Sequence, residues 1–276
     1  MQKIVIQGVP GAFHEIAARQ FFGRQIDVVP ALSFPELFKI VASPAEADGA
    51  VLAIENSIAG SILGNYALLQ NSQLAIIGEV YLPIRQNLLT IPGANLADLQ
   101  EVHSHPMALA QCAEFFTRYP HIRLVASEDT AESASFVARN RNTAIGAIAS
   151  ERAAEIYGLD ILAPAIETVP ENYTRFLALQ RRPEAAPVPF ADKVSLSFTL
   201  ANEPGSLARI LSLMAAENAN LSKIQSVPLL GKPWEYQFYA DFTCLPERIP
   251  ILLKSLSTLT GDLKVLGVYK SGSMFN

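Results

Sequence analysis

The chain has 276 residues, 50% hydrophobic and only 17% charged, and carries a formal charge of −5 from 21 Lys and Arg against 26 Asp and Glu. That balance excludes a disordered charged chain, predicts a large buried core shared by two compact domains, and leaves no basic stretch for a phosphate-neutralising nucleic-acid surface. A mean hydropathy of +0.24 raises the question of a membrane span. The longest charge-free run, residues 57–78, carries Asn65, Gln70, Asn71, Gln73, Ser57, Ser61 and Ser72. Each is costly in hydrocarbon, so the run reads as a core helix followed by a buried strand, with no membrane partner. The first residues reach Gly8 too soon for the apolar region of a signal peptide. Two cysteines, Cys112 and Cys244, without CxxC spacing, exclude a disulfide framework or zinc knuckle and fit a reducing cytoplasm.

Residues 3–7 predict a strand, 8–11 a turn, and 12–22 a helix with apolar positions 13, 16, 17 and 21. Residues 49–54 read as a buried strand and 58–69 have helical spacing. Strands are expected at 74–77, 86–90 and 124–126. A helix follows at 131–139 with Thr130 as N-cap, then a strand at 143–148 and a helix at 150–157 that Gly158 stops. Near-continuous apolar strands between helices predict an α/β fold, a mostly parallel, doubly wound sheet covered on both faces, as one domain or as two lobes. Residues 181–190 hold Pro183, Pro187 and Pro189 and no periodicity, which suits a linker. The expected division is 1–180, a linker over 181–193, and 194–276. In the last part, strands at 194–200, 221–230, 234–243 and 263–269 and helices at 206–217 and 246–258, with a turn at 231–233, give the βαββαβ order of a ferredoxin-like domain.

Four segments carry candidate chemistry. Gly8-Val9-Pro10-Gly11-Ala12 joins a strand to a helix, where backbone N–H groups can hold an anion; an ordinary tight βα turn explains it as well. Glu55-Asn56-Ser57 ends a buried strand, the end at which α/β sheets bind ligands. Asn56 or Ser57 could instead cap a helix, but a carboxyl at Glu55 needs a partner. His103-Ser104-His105-Pro106 leads toward Gln111 and Cys112. Two alternating His could share a strand face, yet nothing else at ligand spacing supports a metal, and Pro106 suits the first turn of a helix. Glu171-Asn172-Tyr173-Thr174-Arg175-Phe176 offers a hydroxyl and a carboxylate-clamping guanidinium at a strand start. No nucleophile elbow, Walker loop or HExxH motif is present, which argues against hydrolase, NTPase and zinc-protease chemistry.

Taken together and in this order, these segments resemble the prephenate dehydratase family, with Glu128-Asp129-Thr130 at the place of a further family turn and residues 194–276 resembling its appended ACT domain. The resemblance implies a catalytic region of two α/β lobes around a cleft, as in solute-binding proteins. It implies conversion of prephenate to phenylpyruvate with loss of water and carbon dioxide, without a cofactor or metal. Thr174 would carry the catalytic hydroxyl, acting by hydrogen-bond donation or proton relay because a Thr hydroxyl is a poor acid; Glu55 or Glu128 would be the ultimate acid. Arg175 would neutralise a carboxylate. Gly11, Ala12, Asn56, Ser57, Ser104, Gln111 and Phe176 would line the substrate. Arogenate dehydratase and a non-catalytic amino-acid sensor are the competing readings.

The resemblance further implies phenylalanine as an inhibitory effector, bound at Gly205, Ser206, Leu207 and Ala208 and at Gln225, Ser226, Val227 and Pro228. The second of these stretches departs from the family's Glu-Ser-Arg-Pro by losing two charges, and Met107 departs from its His-Pro-Gln by losing an amide. ACT domains pair through their sheets, so a homodimer or homotetramer is expected, with the apolar faces of residues 194–200 and 234–242 partly at the interface.

Overall fold

The computed structural model describes residues 1–229, 231–232 and 234–273. Leu230 and Pro233, at the end of the expected fourth-quarter strand and in the expected turn, lie outside the described residues, as do residues 274–276. Two compact units form, one of Met1–Ser61 with Tyr81–Phe176, the other of Ile62–Val80 with the chain from Leu177 onward.

In the first unit, β1 (Gln2–Gln7) buries Ile4, Val5 and Ile6 completely, so both of its faces must be covered. The crossover helix α1 (Phe13–Phe22) leads to β2 (Ile26–Ala31), and α2 (Phe34–Ala42) leads to β3 (Gly49–Asn56); β1 pairs in parallel with both strands. Ser33 caps α2 through Glu36 N–H, and the Glu36 carboxylate returns to Leu32 N–H, a reciprocal cap that fixes the turn. The short β4 (Gly60–Ser61) folds back on β3, setting Ser61 opposite Glu55. The helix expected from residue 58 therefore begins only at α3 (Leu63–Asn71), and β5 (Leu74–Pro83) runs well past the expected 74–77.

A second sheet follows: β6 (Asn87–Thr90), β7 (Glu101–Ser104), the short helices α4 (Pro106–Gln111) and α5 (Ala113–Phe116), β8 (Arg123–Ala126), α6 (Thr130–Asn140), β9 (Ile145–Ala149), α7 (Glu151–Tyr157) and β10 (Asp160–Ala163). Its order is β10-β6-β9-β7-β8, parallel about β7 and antiparallel about β6. The mostly parallel expectation thus holds for β1, β2 and β3 and is corrected to a mixed sheet here. Leu88, Leu99, Val102 and Ile148 pack on Ala108, Cys112 and Phe116 to close its core. The N-cap of α6 is Asp129, accepting from Ala131 and Glu132 N–H, and Thr130 is its first helical residue. Gly158, left-handed at φ 64°, ends α7 as expected. β11 (Tyr173–Arg181) lies beside β3 and continues into the second unit.

The second unit contains β12 (Lys193–Thr199), α8 (Ser206–Ala216), β13 (Asn220–Pro228), β14 (Tyr236–Thr243), α9 (Ile249–Leu259) and β15 (Gly261–Tyr269), preceded in sequence by α3 and most of β5. The antiparallel order β13-β14-β12-β15 with two helices is the expected ferredoxin-like arrangement. Val194, Leu196 and Phe198 alternate toward Ile210, Met214, Leu252 and Leu256 of the helices. The opposite face of β12 is also covered. Lys193 Nζ meets both carboxylate oxygens of Glu79 at 2.8 and 3.0 Å, Ser195 pairs with the Tyr269 hydroxyl at 2.7 Å, and Ser197 bonds Gln70. The apolar side chains of 194–200 expected at a subunit interface are therefore core, because segment 62–80 of the same chain fills the other side. β15 touches β5 at Gly267 opposite Ile76, where any Cβ would run into the Ile76 carbonyl oxygen.

Candidate active site

Ala50 to Ile54 of β3 are buried without interruption, and the strand ends in half-buried Glu55 and Asn56. Asn56 then turns the chain. Its Oδ1 accepts from Ile58 N–H at 3.0 Å and Ala59 N–H at 2.9 Å, which fixes the amide's orientation. Its Nδ2 consequently faces β11 and donates to Asn172 Oδ1 at 2.7 Å, Thr174 Oγ1 at 3.0 Å and Tyr173 O at 3.2 Å. Ser57 completes the seam: its N–H donates to Tyr173 O at 2.8 Å, and its hydroxyl accepts from Tyr173 N–H at 2.9 Å. Two segments 118 positions apart thus converge with Thr174 only 9% exposed. Because Thr174 Oγ1 already accepts a hydrogen bond, its own hydrogen is turned outward from Asn56, polarised for donation.

Thr174, Arg175 and Phe176 lie inside β11 rather than at its approach. Strand alternation puts Thr174 and Phe176 on one face and Arg175 on the other. Arg175, on that other face, is 5% exposed and partnered. Phe176 is met edge-on by His14 of α1, centroids 4.9 Å apart. His14 is buried, its Nε2 has no partner among the described residues, and burial lowers its pKa to about 3; it is a neutral imidazole in an apolar pocket.

A second cluster flanks the chain crossing. Ile84 N–H donates to Asn172 O at 2.8 Å; two residues on, Gln86 Nε2 donates to Gln111 Oε1 at 3.3 Å, and its backbone N–H bonds Glu167 at 2.9 Å. Thr168 N–H holds Gln111 O at 2.8 Å, and Arg85 pairs with Glu167 at 2.9 Å. Ser104 is fully buried, with its hydroxyl donating to Ile148 O at 2.7 Å. Its hydrogen is spent inside the second sheet, so it offers a ligand no donor.

The glycine turn is also internally committed. Gly11 N–H donates to Glu15 Oε2 at 2.7 Å and Ala12 N–H to Val9 O at 3.1 Å, so neither amide is available for an anion. The turn instead seats the helices of the second sheet. Ser150 donates to Gly11 O at 2.6 Å, Tyr157 to Pro10 O at 2.8 Å, and a Cβ on Gly11 would meet Ala153 Cα at 2.9 Å. Burial alone would raise the Glu15 carboxyl, but Gly11 N–H with the Arg19 and Arg152 guanidiniums holds it below the usual range. Burial pushes Asp129 up against the pull of its two cap amides. Glu128 is exposed. At the start of α4, His105 Nδ1 already accepts from Met107 N–H, and six residues make too short a helix for an anion site. His103 pairs with Glu101 at 3.1 Å. Among the described residues no three metal-ligating side chains converge.

In the second unit a cavity of about 160 Å³ is lined by Asn202, Glu203, Ser206, Leu207 and the aromatic side chains of Trp234, Tyr236 and Phe238. Ser206 and Leu207 were expected there. Gly205 adopts φ 83° as the α8 N-cap, and Ala208 follows within the helix. Ser226 and Pro228 pair directly opposite Phe238 and Tyr236, while Gln225 and Val227 point to the other face. Sequence reasoning missed Asn172, His14 and Gln86. The available signal was a polar side chain at a buried position, visible for Asn172 in its spacing two before Thr174.

The family profile described as prephenate dehydratase matches residues 4–184. Arogenate dehydratase/prephenate dehydratase 1, chloroplastic, of Arabidopsis thaliana is 38% identical over 97% of this chain and 71% of its own length. The solved prephenate dehydratase from Arthrobacter aurescens in complex with L-Phe superposes with a TM-score of 0.86 at 29% identity, covering 97% of this chain and 89% of that one. The solved structure of GqqA, described as a novel type of quorum quenching acylase, superposes with a TM-score of 0.88 at 34% identity, covering 98% of both chains.

Proposed function

Since the chain belongs to the prephenate dehydratase family, we propose that it converts prephenate to phenylpyruvate, releasing water and carbon dioxide, as a step in phenylalanine biosynthesis. The observation that carries this is the 3.0 Å bond from Asn56 to Thr174 at the seam of β3 and β11. The electron pair of the breaking carbon–carboxylate bond enters the ring as the ring hydroxyl departs, and aromatisation drives both. A departing hydroxide must gain one proton to leave as water. Thr174 donates its hydrogen bond to that oxygen, strengthened by Asn56 feeding into Oγ1, and half-buried Glu55 relays the proton from solvent. Arg175 contributes positive charge from the far face of β11, favouring the dianionic substrate. Gln111 and Ser57 shape the ends of the site.

The test is turnover of prephenate followed by phenylpyruvate absorbance, with arogenate run in parallel to fix the preferred side chain. Thr174→Ala is expected to lose about 100-fold or more in kcat; near-normal turnover would sink the assignment, and no turnover by the unmodified chain would leave the sensor reading. Acyl-amide hydrolysis is assayed on the same preparation because of the acylase likeness. Among the described residues no His ring hydrogen-bonds a Ser or Thr hydroxyl, so a nucleophile–base pair for that chemistry is not built.

Residues 194–276 serve in this proposal as an ACT regulatory domain that binds phenylalanine in the aromatic-lined cavity. β13 is the last strand in its sheet order, and two copies would associate along that side of the sheet. Sedimentation as a monomer at micromolar concentration would refute that association.

A further inference from the structure

Asn172 is 0% exposed, and its Nδ2 has no hydrogen-bond partner among the described residues. The orphan atom is not an artefact of amide orientation. Ile58 and Ala59 N–H fix Asn56 Oδ1, so Asn56 presents Nδ2 to Asn172. Only an oxygen can receive it, at 2.7 Å, and Asn172 Nδ2 is thereby forced to point away. A buried donor left unsatisfied is costly, and such groups persist where a ligand satisfies them. The same Asn56 nitrogen also serves Thr174 Oγ1, so the Asn172 amide and the Thr174 hydroxyl are gathered at one seam, with Asn172 Oδ1 and Thr174 Oγ1 within about 6 Å of each other.

We infer that Asn172 is a further catalytic residue, its Nδ2–H donating to the same departing substrate oxygen that Thr174 faces. The inference rests on the dehydratase reading above. As the carbon–oxygen bond breaks, charge grows on that oxygen, and a second fixed donor lowers the barrier more than it tightens substrate binding. The donor stays with Asn172 throughout; the proton that completes water comes by the Glu55 relay.

The isosteric variant Asn172→Asp separates this role from a structural one. The introduced carboxyl keeps the acceptor that Asn56 requires and replaces the donor with an oxygen. The charged side chains on the surrounding segments are Glu55, Arg85, Glu167, Glu171 and Arg175, with Arg85 paired to Glu167. With prephenate at pH 8 the expected result is a kcat about 100-fold lower at a KM within threefold of the unmodified chain. As pH falls toward 5 the buried carboxyl protonates, its O–H restores a donor, and kcat recovers relative to the unmodified chain, enzyme-free conversion being subtracted. An Asn172→Asp variant that matches the unmodified chain at every pH would overturn the inference, a resident water then serving Nδ2. Should that variant fail to fold at pH 8 by circular dichroism, Asn172→Ala is read by the same split: reduced kcat at constant KM supports the role, and a change in KM alone overturns it. If the unmodified chain does not turn over prephenate, it is the dehydratase reading that has failed, and this inference falls with it.

Discussion

His14 makes the stability of the first unit depend on pH in a way that can be worked from its surroundings. Its ring is buried against Phe34 and Phe176, its Nε2 has no partner among the described residues, and burial takes its pKa from 6.5 to about 3. The folded chain therefore refuses a proton that the unfolded chain accepts. Above pH 6.5 both states are neutral and stability is full. Below 6.5 the unfolded state protonates first, and stability falls by about 1.4 kcal/mol per pH unit until the folded pKa near 3 is reached. At pH 4.5 the loss is roughly 2.7 kcal/mol, a large part of the 5–15 kcal/mol typical of a whole protein. The perturbation is His14→Leu, which removes the titration and the orphan nitrogen together and should leave stability at pH 7.5 unchanged or slightly higher. Urea unfolding of both proteins between pH 7.5 and 4.5 gives the assay, and other titrating groups cancel in the difference. The gap should open below pH 6.5 with that slope at equal m-values. Parallel curves for the two proteins across the range would refute the reasoning, since they would mean the ring is hydrated or partnered.

Two further predictions concern the second unit. The side chains of Lys193 and Glu79 are 4% and 0% exposed, so Lys193→Met removes the ammonium from a buried carboxylate that keeps its bond from Gly272 N–H and should cost about 3–5 kcal/mol, whereas Lys193→Met with Glu79→Leu should recover most of it; urea midpoints of the single and double variants that add independently would contradict the pairing. Trp234, Tyr236 and Phe238 line the cavity beside Ser206 and Leu207, so phenylalanine should inhibit turnover and Trp234→Ala should raise the inhibitory concentration about tenfold, corresponding to roughly 1.4 kcal/mol of lost aromatic contact; inhibition equally strong in the variant would place the effector elsewhere.

Much of the site was legible because buried strands announce themselves and polar residues at their ends do not belong there. The apolar run before Glu55-Asn56-Ser57 and the short Thr174-Arg175-Phe176 signature both stood out on that ground. The placement of Thr174 and Arg175 on opposite faces did not, because it depends on β11 starting at Tyr173, and the polar stretch 170–173 looks like loop until its hydrogen bonds to residues 56 and 57 are known. Ser104, Gly11 and Ala12 carry the right atoms, yet those atoms are consumed by Ile148, Glu15 and Val9. His14 and Asn172 were passed over because hydropathy patterns treat a buried imidazole or amide as noise in a helix or turn.

Local chemistry is written along the chain, and so the amino-acid order by itself determined the α/β class, the βαββαβ tail, the glycine turn, the helix stop at Gly158, and the segments bearing the candidate side chains. Only the tertiary structure decided that residues 62–80 join the second unit, that Lys193 finds Glu79 at a separation of 114 positions, and that one amide of Asn56 organises both Asn172 and Thr174. Turns and periodicities arise from neighbours within a few residues, whereas the partner of a buried polar atom is selected by whichever distant segment packs beside it, and no local pattern encodes that choice.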